Sequence, residues 1–97
     1  MSVRLHPGAE RDIAQAAAFY ESEASAALAA RFVAEFGRVA RLLLSNPGLG
    51  TPRDRGRRSF PMSGFPHSVV DRQTPQGILV LVVKHDRQHP GHGAARR

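Results

Sequence analysis

A chain of 97 residues supports one domain, and its 41% hydrophobic and 23% charged residues describe a packed core under an ordinary hydrated surface. The absence of cysteine excludes disulfides and thiolate metal sites, and no apolar run reaches the roughly 20 residues that a membrane helix needs. Residues 1–50 carry five basic and five acidic side chains and residues 51–97 nine basic and three acidic, so the whole formal +6 lies in the second half, where an anionic partner is expected.

Val3 and Leu5 flank Arg4 with period two, which predicts a short strand ended by His6-Pro7-Gly8. Pro7 suits the first turn of a helix, where its missing N–H is no loss. Ile13, Ala16, Ala17 and Tyr20 recur at helical spacing, with Glu10 and Asp12 near the positive end of the dipole, and predict a helix over residues 8–22. In it Phe19 and Tyr20 are expected to pack in the core. A short polar link leads to Ser25, which can cap a second helix with the stripe Leu28, Phe32, Phe36, Val39, Leu43. Asn46-Pro47-Gly48 stops that helix, and so short a link predicts an antiparallel helical hairpin.

Residues 48–58 lack periodicity and are rich in Gly, Pro and Arg, as an exposed connection would be. Three strand-like segments follow, at 58–62, 68–72 and 78–84, separated by turn-forming residues that favour antiparallel neighbours. The run Ile78 to Val83 is apolar on both faces, like a central strand covered on both sides. The fold class is therefore α+β, in the order β-α-α-β-β-β, with a helical hairpin packed on a small, mainly antiparallel sheet that the first strand joins. Residues 1–90 form the domain, and residues 91–97 are expected to be a flexible basic tail.

Several features in this order and spacing resemble the RelE/ParE superfamily of toxins from type II toxin–antitoxin systems. They are the opening strand with Pro7; the helix end Leu43-Leu44-Ser45-Asn46-Pro47-Gly48-Leu49-Gly50; the Arg58-Ser59-Phe60 strand; the Phe65-Pro66 step; and the close Val83-Lys84-His85-Asp86-Arg87-Gln88-His89-Pro90. The resemblance implies a toxin partnered by a neutralising antitoxin encoded beside it. Members similar to ParE poison DNA gyrase without a recognised catalytic centre, whereas those similar to RelE cut messenger RNA on the ribosome, and the fold serves both. The His-Asp-Arg-Gln-His-Pro close favours the ParE-like branch, and the absence of any aromatic residue after Asp86 removes the stacking platform of a RelE-like end. Gyrase is thus the expected target; ribosome-bound mRNA, or no toxicity beyond antitoxin binding, are the alternatives.

Under the ribonuclease alternative the resemblance assigns the chemistry to Arg58, Lys84, His85, Arg87 and His92, which supply cations for a crowded phosphate and an acid or base titrating near neutrality. Arg53, Arg55, Arg57 and Arg72 are candidates for contact with the antitoxin or target, because guanidinium pairs with carboxylate and phosphate alike. His85, His89 and His92 have helix-face spacing for a metal, but Pro90 and Gly91 oppose a helix there, so no metal and no cofactor are expected. The opening residues carry no secretory signal, and the expected compartment is the cytoplasm.

Overall fold

The computed structural model describes all 97 residues. Strand β1 (Ser2–Leu5) passes directly into α1 (Pro7–Glu23), whose start is capped by His6: its Nδ1 accepts the Gly8 N–H at 2.9 Å, and Pro7 occupies the first helical position. Only Ala24 and Ser25 separate α1 from α2 (Ala26–Ser45), and the Ser25 hydroxyl accepts the Leu28 N–H at 3.0 Å. Phe32, Phe36, Val39 and Leu43 bury the inner stripe of α2. The helix ends at Asn46, whose side-chain amide donates to the Leu42 carbonyl at 2.9 Å.

The connection after α2 is more ordered than its composition suggests. Strand β2 (Thr51–Pro52) pairs antiparallel with β3 (Arg58–Pro61), closed by a tight turn over Asp54–Gly56. Successive positive φ angles at Arg55 (62°) and Gly56 (73°) give the turn the twist of a hairpin. Strands β4 (His67–Thr74) and β5 (Gly77–His85) follow, one or two residues longer at each end than the sequence indicates. The five strands run in the order β1-β5-β4-β3-β2, antiparallel throughout except that β1 lies parallel to β5.

The two faces of this sheet have different fates. The helical hairpin covers one face, where Phe32, Phe36, Val39 and Leu43 meet Met62, Phe65, Val69, Ile78, Val80 and Val83. Tyr20 joins this core, tilted against Phe32 and edge-on to Phe65 with centroids 5.5 and 5.2 Å away, whereas Phe19 turns outward and is 59% exposed. A register shift between Val70 and Asp71 places Val70 opposite Val82 and Asp71 opposite Val80, leaving Leu81 as the extra residue of a β-bulge. The bulge keeps Val80 and Val83 on the helix side and turns Val82 and Lys84 to the opposite face.

Residues 91–97, expected from composition to be a flexible tail, are laid across that second face in consecutive tight turns. His92, Ala94 and Arg96 each donate a backbone N–H three residues back, to His89, Gly91 and Gly93. Backbone pairing explains the attachment. Strand β1 stops at Leu5, and its last bond to β5 runs from His6 N–H to the Val80 carbonyl. Beyond it the Val83 N–H is taken by the Asp12 carboxylate at 3.0 Å and the Leu81 carbonyl by Arg96 at 3.1 Å, so two side chains finish an edge that no strand covers.

A cationic groove on the open face of the sheet

The hairpin β2–β3, the open sheet face and the C-terminal segment enclose a groove of about 750 Å³. The hairpin contributes Arg53, Asp54, Arg55 and Arg57; the floor is Ser59, Ser68, Val70, Val82 and Lys84; the far wall is Asp86, Pro90, His92 and Ala94. Strand alternation sets this arrangement, since Ser59 on β3, Ser68 and Val70 on β4, and Val82 and Lys84 on β5 all point away from the helices.

The groove's cations are bonded mostly to uncharged acceptors. Arg55 donates to the Ala94 carbonyl at 3.0 Å, and Arg57 donates to the carbonyls of Gly93 and Ala94, each at 3.1 Å, and of Arg96. Burial and then the neighbouring charges of Arg55, Arg72 and Arg96 push the Arg57 guanidinium below its ordinary pKa. The ion pairs of the molecule are Arg38–Glu35 and Arg96–Asp12; Asp54 and Asp86 line the groove, but neither is within ion-pair distance of Arg53, Arg55, Arg57 or Arg72.

Asp12, which lies beside the groove rather than in its lining, is the residue that sequence reasoning undervalued. Its carboxylate, 8% exposed, accepts from Arg96 at 2.6 Å, from the Val83 N–H, and from His92 Nε2 at 3.0 Å. Burial would raise its pKa, but the Arg96, Val83 and His92 hydrogen bonds and the Arg96 charge together hold it below the ordinary carboxylate value. A signal was present: Asp12 shares a helical face with Ala9 and Ala16, where an acid needs a buried partner.

Of the five residues that the ribonuclease alternative requires, the groove unites two. Lys84 lies on its floor and His92 in its wall, with Nε2 bonded to Asp12. Arg58 points to the helix side of β3, where it is registered opposite Asp71 and reaches toward the Gly50 carbonyl at 3.4 Å. His85 also faces the helix side, its ring 5.0 Å from that of His67, and Arg87 sits in the exposed turn after β5, its N–H on His85 Nδ1. Among the contact candidates, Arg53, Arg55 and Arg57 line the groove, and Arg72 is near enough to depress Arg57.

The three late histidines are separately engaged rather than convergent. His85 Nδ1 accepts the Arg87 N–H, His89 Nδ1 the Gly91 N–H at 2.9 Å, and His92 the Asp12 contact, and no three acidic or imidazole side chains gather as metal ligands. Two buried polar groups lie on the helix side of β4. His67 keeps an unpartnered Nδ1, and burial and then the adjacent His85 lower its pKa against the opposing charge of Asp86. Asp71 keeps an unpartnered Oδ1, and burial pushes its carboxyl up to about 6 against its own backbone N–H and Arg58. No helix is long and apolar enough to cross a membrane.

Comparison with known proteins places this architecture. A solved structure described as "Chromosomal ParDE TA system from P. aeruginosa" superposes with a TM-score of 0.77 over 88% of this chain and 95% of that one, at 22% identity, which establishes a shared fold. No curated protein sequence matches significantly. The family model for the ParE toxin of the type II toxin–antitoxin system parDE matches residues 3–90, from the first strand to the proline that opens the last turns. The chain belongs to the ParE toxin family of type II toxin–antitoxin systems.

Proposed function

We propose that this protein is a cytoplasmic toxin that inhibits DNA gyrase by binding it and is held inactive by a cognate antitoxin. The observation that carries the binding reading is the state of the polar groups around the groove. Arg57 is engaged with main-chain carbonyls, His92 with Asp12, and the remaining candidates Arg58, His85 and Arg87 lie outside the groove. An enzyme that cleaves phosphodiesters without a metal needs base, acid and cation to converge on one phosphate, and of the five residues assigned to that chemistry the groove holds only Lys84 and His92.

Messenger RNA cleavage has one observation in its favour. The Asp12 contact on Nε2 leaves the other nitrogen of His92 unbonded in a groove that also holds Lys84. Purified protein assayed in parallel for inhibition of gyrase supercoiling and for ribosome-dependent mRNA cleavage separates the two. Loss of supercoiling with intact mRNA is the expected result; cut mRNA with normal supercoiling would replace the binding reading with the enzymatic one.

A further inference from the structure

A second cavity, of about 290 Å³, opens between α1, the ends of β4 and β5 and the turn that follows β5. It lies on the helix side of the sheet, away from the cationic groove, and its size is at the lower end of the range for small-molecule sites. Phe19, Tyr20 and Val83 form its apolar walls, and His67, His85 and Gln88 supply polar groups beside Asp12.

Three features mark it as a place for a ligand. His67 is 6% exposed and keeps its Nδ1 unpartnered, a costly condition for a buried polar ring in a cavity wall. Phe19 leaves an aromatic ring 59% exposed at the rim, 5.6 Å from the Tyr20 ring and at 77° to it, so a flat molecule entering the cavity meets two aromatic walls set at a steep angle. The polar groups left free are donors. His85 Nδ1 accepts the Arg87 N–H, so the neutral ring carries its proton on Nε2, and Gln88 Oε1 accepts the His85 N–H at 2.8 Å, which leaves its amide NH2 as the free end.

The lining also excludes charged occupants. Both oxygens of Asp12 are taken, by Arg96, His92 and the Val83 N–H, and no Lys or Arg lines the cavity, so a phosphate or carboxylate would lie beside an acid with no cation of its own. We infer that this cavity binds the base of a free nucleoside, an uncharged planar heterocycle whose ring carbonyl accepts from His85 Nε2 and the Gln88 amide while Phe19 and Tyr20 pack against it. The assignment goes beyond the toxin reading and does not depend on it.

Inosine and adenosine form the test pair, because they share sugar and shape and differ at a ring position that carries a carbonyl in inosine and an amino donor in adenosine. The full chain, isotopically labelled, is titrated with each, and long-range proton–nitrogen NMR spectra follow its five imidazoles. Inosine should shift His67 and His85 and leave His6 and His89 unmoved. Adenosine should bind about tenfold more weakly, since its amino group meets two donors. Phe19→Ala removes an exposed wall without entering the core and should weaken inosine by about tenfold. His85→Phe keeps a flat ring without the donor and should abolish the preference for inosine, with the backbone amide spectrum checking that each variant is folded.

Absence of any shift at His67 and His85 with millimolar inosine would overturn the proposal, as would equal affinity for the two nucleosides or unaltered binding by Phe19→Ala. An inosine-containing oligonucleotide that binds at these histidines more tightly than inosine would also overturn it, by making the ligand a strand rather than a free nucleoside.

Discussion

Replacing Asp71 by Asn should stabilise the protein, and the gain should depend on pH in a defined direction. Asp71 is 5% exposed on the helix side of β4, with one carboxylate oxygen unbonded, and its pKa rises from 3.8 to about 6 on folding. A carboxyl that binds its proton more tightly when folded favours the folded state where it is protonated. That stability is lost as pH rises from about 3.8 to about 6 and stays lost above. Two pKa units correspond to about 3 kcal/mol, so Asp71→Asn should exceed the wild type by up to that amount near neutral pH and match it where Asp71 is protonated. Urea denaturation of both proteins over this range, compared at equal m-values, reads the difference while cancelling other titrations. A variant less stable than wild type at neutral pH would refute the argument, for it would make the carboxylate and its cross-strand neighbour Arg58 a net favourable pair.

Arg96→Met should cost about 3 kcal/mol in the same assay, since it leaves the buried Asp12 carboxylate without its main partner. The stability due to Asp12, whose pKa is depressed on folding, should fade as acid carries the wild type down through that depressed value, and this loss should shrink in the variant. Ser25→Ala removes the cap of α2 and should lower stability by about 1 kcal/mol, measured as a shift in urea midpoint without a change in slope. If the toxin acts by binding, His92→Gln should leave gyrase inhibition within about threefold of wild type, whereas loss of a general base would lower a catalytic activity by about a hundredfold or more.

The helices and strands were legible because each carries its own period: the α2 stripe, the alternation of β1 and the apolar run of β5 declare themselves within a few residues. The β2–β3 hairpin was not, because Arg55 stands where a glycine or asparagine would advertise the turn. The placement of residues 91–97 escaped for a different reason. Nothing apolar holds them; their attachment is a set of polar bonds across 36 to 84 positions of sequence, between Arg57 and Gly93 or Asp12 and Arg96, and local patterns carry no trace of such pairs. The arginine cluster could be seen, but not that Arg57 would spend its hydrogen bonds on main-chain carbonyls rather than on a carboxylate. Lys84 faces the groove because its side follows the bulge at Leu81, whose position no alternation rule predicts.

The parallel pairing of β1 with β5 also governs when the molecule can come into being. Ser2 is registered against Gly77 and Leu5 against Val80, so the first strand has no partner until some 75 further residues exist. At a synthesis rate of roughly 5–20 residues per second, that is a wait of roughly 4–15 s. The helical hairpin between them can form early, yet the sheet face on which it packs is completed only by β5, and the Asp12 carboxylate stays unpaired until Arg96 is made. Contacts of such long sequence separation slow folding by the loop entropy they must first close. The nascent chain therefore remains incompletely folded through most of its translation, an interval in which the cell holds the polypeptide without holding its activity.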